Sequence, residues 1–356
     1  MRNTVFLLGL LIAGCNSKPA QDQLVVVFSQ IALQASPGKK SAALHLLKAG
    51  ERVTDLGEVS RFESVISFND QLHQSPWMLV QTADNRKGWV FCAAVQPLRE
   101  DSAWLLRKRM LCYFGAVARD RCAALAQSVA GGYTGKTAQD MMADYRKAIG
   151  LRDTLTAVLA HRPESGEAGF QPDESWFQAA LPGFVFQSVR EGRQPYLFAD
   201  YRFWSNKAQE TTDTQDDVYF NICLTLFPAD SIESFFPVWT FQTEANKAAS
   251  MLGSGMHVQI LRSLNTAFNA SPLCRPELQA IKESLLEDIL DKKTVYWYPE
   301  DKITAELNQI LQEGFSCLGA GDRVALQARL TMFGDPPANG IIVNLRSGEI
   351  STVREE

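Results

Sequence analysis

The sequence predicts a multidomain chain: a small all-β antiparallel barrel, then a larger α+β region, helix-rich with C-terminal β-strands. Three observations carry this. Up to about Leu98, short β-branched or aromatic runs alternate with Gly, Pro, Asn and Asp clusters. From Asp101 the apolar residues recur at helical spacing, and after Gly319 the texture is β-like again. With 356 residues, 46% of them hydrophobic, the chain can bury more than one core. The expected organisation is 1–14 as a leader, 15–23 as a tether, 24–98 as the barrel, 101–162 as a helical segment and 174–356 as the α+β domain. Residues 101–356 can also be read as one domain.

The leader has the layout of a secretory signal. Arg2 supplies the charge, Val5 to Ala13 is apolar, and small residues precede Cys15. This run is too short for a bilayer span, which needs roughly 20 residues. Ile12-Ala13-Gly14-Cys15 resembles a bacterial lipoprotein lipobox. That resemblance implies cleavage before Cys15, acylation of its thiol, and attachment to a membrane through the lipid. Asn16 beside the acylated cysteine favours the outer membrane over the inner. The polar stretch Asn16–Gln23 then holds the folded part away from the surface.

Leu24-Val25-Val26-Val27-Phe28 opens the β region. Leu44-His45-Leu46-Leu47 follows the turn-rich Ser36-Pro37-Gly38, and Trp77-Met78-Leu79-Val80-Gln81 alternates. Asp84-Asn85-Arg86-Lys87-Gly88 turns the chain into Trp89-Val90-Phe91. The strings Lys48–Val53, Trp77–Val80 and Gly88-Trp89-Val90 together resemble a bacterial SH3 (SH3b) domain, whose "l..G..v", "W..V" and "GWV" strands occur in this order. The resemblance covers 24–98 and implies an SH3-like barrel that contacts peptidoglycan peptide or an envelope protein. It departs from the family pattern at the long connection Glu58–Ser75 and at Leu33-Gln34-Ala35, in loops that shape the family's ligand groove. Trp89 is expected in the core. Trp77 stands between core and groove, and is the ligand-binding candidate.

Trp104 to Gln127 reads as helix with Gly115 as a break, ended by Gly131-Gly132. Thr137 and Asp140 form a cap for a second helix reaching Ile149, and Leu151 to Arg162 is a third. Pro163–Asp173 is a polar loop. Glu174 to Trp239 is dense in aromatic residues, readable as a sugar- or peptide-binding cleft or as a core of large side chains. Pro276-Glu277 starts an amphipathic helix with Leu278, Ile281, Leu285 and Ile289 as its buried stripe. Another helix covers Thr304–Gln312. Strands are expected at Val324–Met332, Ile341–Leu345 and Ile350–Val353.

Chemistry is harder to assemble from the sequence. With net charge −5 and no basic run beyond Arg107-Lys108-Arg109, nucleic acid is not an expected partner. Ala130 to Thr137 fits a relaxed phosphate-loop pattern, but a helix precedes it where a strand is required, so no nucleotide is expected. Without HxH, HExxH or CxxC, no metal or other cofactor is expected. Apart from Cys15 the chain has Cys92, Cys112, Cys122, Cys223, Cys274 and Cys317, an even number in an exported protein; Cys274 and Cys317 are the expected disulfide. Cys223, in the strand-like Ile222-Cys223-Leu224, is as readily a buried thiol.

His257 follows the glycine turn Gly253-Ser254-Gly255 and opens a helix. A thiol peptidase would pair it with Cys223, with Asp213, Asp216, Asp217 or Glu244 orienting the imidazole. Those same aspartates are readable as a calcium site or, preferably, as a solvated turn. The favoured reading is a lipid-anchored cell-envelope protein with a non-catalytic binding or scaffolding role. The alternative is a peptidoglycan hydrolase using His257 with Cys223 or a nearby acid.

Overall fold

The structure is a computed structural model that describes residues 22–160, 175–189, 194–242 and 248–345. The leader, Cys15 and the tether up to residue 21 lie outside the described residues, as do His161, Glu244 and Ile350–Val353. The described chain divides into two compact units, the division falling after Arg119.

The first unit contains β1 (Gln23–Val26), β2 (Ile31–Gln34), β3 (Ala43–Leu47), β4 (Arg52–Phe68), β5 (Gln71–Thr82), β6 (Lys87–Phe91) and β7 (Val95–Pro97). They form one antiparallel sheet in the order β3-β2-β6-β5-β4-β1-β7. The sheet is open, with β3 and β7 at its edges, and is not the closed barrel that the strand texture predicts. Closure is replaced by extension. Glu58–Ser75, read as a loop, belongs to a long β4–β5 hairpin whose pairing runs out to Phe68 and Gln71. Asn69 and Asp70 turn it with φ of 50° and 61°, the positive values a two-residue hairpin loop requires. Register shifts between Asp55 and Val59 and between Val59 and Glu63 interrupt the alternation along β4.

The core of this unit gathers the inward residues of several strands, among them Leu24, Leu33, Val53, Met78, Val80 and Phe91. The Gly88-Trp89-Val90 string has a steric cause. A Cβ on Gly88 would lie 2.7 Å from Leu33 Cγ and 2.8 Å from the Gln34 carbonyl oxygen, so β2 and β6 can approach only at glycine. Trp89 is half-buried and covers the core from outside, whereas Val90 and Phe91 fill it.

α1 (Trp104–Ala130) breaks at Gly115, where φ is 78° and ψ is 177°. Its first half belongs to the sheet unit. Trp104 joins the core, Lys108 pairs with buried Asp55, and Arg109 Nε donates to Glu63 at 3.1 Å. Tyr113 Oη donates to the same Glu63 carboxylate at 2.7 Å.

The second unit begins in the rest of α1 and continues through α2 (Ala138–Ala160), β8 (Phe184–Val189), β9 (Gln194–Ala199), α3 (Tyr201–Ala208) and α4 (Gln215–Leu226). Then come β10 (Thr240–Gln242), β11 (Ala248–Ser250), α5 (Met256–Ala270), α6 (Arg275–Leu290), β12 (Val295–Tyr296), α7 (Glu300–Gln312) and α8 (Ala320–Met332). The two helices expected either side of Gly150 are one: α2 runs through the glycine, whose helical cost of about 1 kcal/mol is outweighed by the packing of Met141, Tyr145, Ala148 and Leu155. α6 buries the expected stripe.

Val324–Met332 is helical, correcting the expected strand. Asp322 Oδ2 accepts the Gly319 N–H at 2.9 Å, and helix formers such as Ala325, Leu326, Ala328 and Leu330 follow that cap. Of Ile341–Leu345, a single bridge from Ile342 to Val295 remains. Among the described residues the strands of this unit are the β8–β9 hairpin and the short β10-β11-β12 sheet.

Candidate functional site

Trp77 is a core residue. It is 2% exposed, meets Phe91 edge-on with centroids 5.6 Å apart, and donates its Nε1–H to Ser64 Oγ at 2.8 Å. Its backbone N–H is taken by Ser60 Oγ at 2.9 Å. No ring face is left for a ligand, so the groove reading of Trp77 is corrected.

The sheet unit does carry a depression, of about 540 Å³, between the β2–β3 turn and the β4–β5 hairpin. One wall is Ser36–Ser41, the other Phe62–Val65. Gly38, at φ +121°, sets its backbone against the Phe62 ring, where a Cβ would come 3.8 Å from Cζ. Phe62 is 38% exposed and Lys39 and Lys40 are both exposed. The Glu63 carboxylate in the same wall is held by Arg109, by Tyr113 and by Gln74 Nε2 at 2.5 Å. The depression therefore offers an apolar ring and the exposed Lys40 ammonium, with its carboxylate already neutralised by partners. This chemistry suits a ligand with an anionic group beside an apolar portion.

In the second unit His257 is fully buried at the start of α5. Its Nε2 lies 2.9 Å from Asp288 Oδ2 on α6, and its buried Nδ1 has no hydrogen-bond partner. An Nε2–H donating to the carboxylate satisfies this geometry, an assignment made from the hydrogen bonds. Ser250 Oγ donates to the same Asp288 oxygen at 2.5 Å. The carboxylate thus stands between hydroxyl and imidazole, whereas a nucleophilic triad needs the imidazole in the middle. Ser250 is also closed to solvent.

Cys223 lies in helix α4, not in a strand. Tyr219 and Tyr201 hydrogen-bond its thiol, and burial pushes its pKa far above the ordinary value. A nucleophilic thiol needs the opposite shift and a base in reach. The structure joins His257 to Asp288, not to Cys223.

The glycine turn before His257 has its own purpose. Glu306 of α7 is buried, and its Oε2 accepts the N–H groups of Gly253 at 2.6 Å and Gly255 at 2.9 Å. Its Oε1 accepts that of Val258 at 3.1 Å. An internal carboxylate thus fills the positive end of α5.

The aspartates considered as orienters or calcium ligands are local braces. Asp213 Oδ2 accepts the Ala138 N–H at 3.0 Å at the start of α2. Asp216 takes the Thr211 hydroxyl at 3.1 Å and the Asp217 N–H at 3.0 Å, and burial raises its pKa to about 6. No metal-holding group of three or more such side chains occurs among the described residues.

Cys274 and Cys317, expected as a disulfide, are both free thiols. Cys274 is buried with its Sγ 3.6 Å from the Gln215 carbonyl, and Cys317 donates its N–H to Asn265 Oδ1 at 3.1 Å. Each is fixed by a separate partner, and the pairing is not made. Cys92, Cys112, Cys122 and Cys223 are buried.

The aromatic region serves both expected ends. Phe177, Trp204 and Phe220 are fully buried core. Tyr201, Tyr219, Phe227 and Trp239 wall an open cleft of about 330 Å³. Sequence reasoning found these aromatics but missed Asp288, Glu287 and Asp291 beside them, which lie on and just after α6.

Among the described residues no helix is long and apolar enough to cross a membrane. No protein-family model, curated protein or solved structure matches this chain.

Proposed function

We propose that the chain is a lipid-anchored cell-envelope protein that binds through its sheet unit. Its ligand is a carboxylate-bearing peptide, of the kind peptidoglycan or an envelope protein presents. The observation that carries this reading is the depression between the β2–β3 turn and the β4–β5 hairpin. One wall falls within Glu58–Ser75, a stretch in which the sequence departs from the SH3b pattern it resembles, and the other, Ser36–Ser41, directly follows the second departure, Leu33-Gln34-Ala35. A turn and an extended hairpin there create a pocket with a ring, the Lys40 ammonium and a compensated carboxylate. The lipid on Cys15, placed outside the inner membrane, would set this unit against the cell wall. The geometry around His257 supports a structural role for that residue, since its imidazole braces α5 against α6.

Full-length protein in mild detergent, sedimented with purified cell-wall sacculi, tests the proposal. Co-sedimentation without released fragments, lowered several-fold by Phe62→Ser or Lys40→Glu, is the expected result. Fragment release abolished by His257→Ala would overturn it in favour of a hydrolase. Sedimentation unaffected by either pocket variant would also overturn it.

A further inference from the structure

We propose that the second unit carries a separate binding site for a carboxylate on a short apolar chain, in the groove between the second half of α1 and α2. The groove has a volume of about 460 Å³. Its walls include Arg121, Ala124 and Leu125 on α1 and Lys147, Gly150 and Leu151 on α2, all within the second unit. It shares no residue with the depression on the sheet unit.

Most polar groups of the groove are already spent within the chain. Asp144 is buried, and its Oδ2 accepts the Ser128 hydroxyl at 2.6 Å and the Tyr133 hydroxyl at 3.1 Å. Its Oδ1 accepts from Lys147 Nζ at 3.0 Å. The Thr154 hydroxyl donates to the Gly150 carbonyl at 2.8 Å. Arg121 differs. It is exposed and makes no side-chain hydrogen bond or ion pair among the described residues. A guanidinium presents a planar fork of N–H donors that matches a carboxylate in a two-point bond. One such group compensates one negative charge, which favours a carboxylate over a polyanion.

Gly150 is the second, independent observation. It stands in the interior of α2, where glycine is disfavoured relative to alanine. Its φ is not positive, and a Cβ there would meet nothing within 4 Å. Neither backbone conformation nor packing among the described residues therefore requires a glycine. Its bare backbone keeps the α2 wall of the groove open, the use glycine has where a ligand approaches the main chain closely. Leu151 beside it is half-buried and Ala124 is exposed, so apolar surface is accessible there.

These two features select one kind of occupant. An alkyl chain laid along Gly150 and Leu151 leaves water for apolar surface, while its carboxylate pairs with Arg121. A cation is repelled by the guanidinium and finds the Asp144 carboxylate already taken. A free alkyl carboxylate and a peptide ending in an apolar residue present the same group, a carboxylate beside a short apolar chain.

Calorimetric titration of the full-length protein tests this, using hexanoate, N-acetyl-leucine and hexylammonium as probes. Saturable binding of a carboxylate, with hexylammonium roughly tenfold weaker or more, is expected. The stronger of the two carboxylates identifies the source of the group. Arg121→Gln, at an exposed position, should lower carboxylate affinity several-fold. Gly150→Leu should abolish binding by filling the groove, yet raise the thermal midpoint, because leucine is the better helix former. Loss of binding in that variant is thereby separated from loss of the fold. Lys40→Glu, on the sheet unit, should leave this binding unchanged. No saturable carboxylate binding, equal binding of hexylammonium, or undiminished binding by either groove variant would each overturn the proposal. Binding lost in Lys40→Glu but kept in Arg121→Gln would place it on the sheet unit and overturn the proposal as well.

Discussion

Glu306 offers the sharpest test of how the second unit is held together. One buried carboxylate satisfies three backbone N–H groups at the start of α5, two on Oε2 and one on Oε1. In Glu306→Gln the side chain keeps its shape, but an NH₂ replaces one acceptor oxygen. The less costly orientation retains Gly253 and Gly255 on the amide oxygen and leaves the Val258 N–H facing another donor. An unsatisfied buried donor costs about 1–3 kcal/mol. Losing the negative charge at the helix N-terminus adds about 0.5–1 kcal/mol. The variant should therefore be less stable by about 1.5–4 kcal/mol, a large fraction of a domain's stability. Urea unfolding followed by far-UV circular dichroism reads the total, and hydrogen exchange at the Val258 amide reads the local part. A loss below about 0.5 kcal/mol, or unchanged protection of Val258, would refute the assignment of Glu306 as the cap of α5.

Gly88→Ala should destabilise the sheet unit by about 1–3 kcal/mol, because its Cβ meets the Gln34 carbonyl, which cannot retreat without disturbing the pairing of Gln34 with Trp89; thermal unfolding checks it, and an unchanged midpoint would contradict it. Asp70→Gly should stabilise the β4–β5 hairpin by up to about 1 kcal/mol, since glycine adopts the φ of 61° without strain; the readout is the denaturant midpoint. Asp216 has its pKa raised to about 6 by burial, so the folded state holds its proton where the unfolded chain, near 3.8, has released it. That preference contributes stability at low pH and is lost as pH rises from about 4 through 6. Asp216→Asn should therefore gain stability relative to the native chain as pH goes from 4 to 7, and a pH-independent difference would count against the raised pKa.

How much of this was legible depends on the range of the interactions. Leu24–Phe28, Trp77–Gln81 and Trp89–Phe91 were readable as strands because alternation is a local signal. β4 was not, since two register shifts break its period. α8 was misread because the apolar content of Val324–Met332 drew more weight than the cap formed by Gly319 and Asp322. The turn before His257 was recognised, along with the helix it opens. Its reason was not, because Glu306 lies 48 to 53 residues further on. Similarly, the acids proposed to orient His257 were near it in sequence or upstream, while the actual partner, Asp288, faces it from another helix. Aromatic density announced the cleft, but nothing in Glu287 or Asp291 distinguishes them locally from other exposed acids.

The ion pairs of Asp55 and Glu63 bear on where this chain can be cut. A fragment ending at Leu98, where the β texture stops, would keep both carboxylates and discard Lys108, Arg109 and Tyr113, which compensate them. Asp55 and the Glu63 side chain are each about 5% exposed or less with α1 in place, so the severed fragment would carry two carboxylates stripped of the cations that compensate them. Such a fragment should be poorly soluble or unfolded near neutral pH, where one extending past Gly115 to Arg119 retains every partner. The smallest heritable piece of this architecture is then a sheet together with half a helix. Any recombination that exchanged the sheet alone would have to replace two buried acids at the same time.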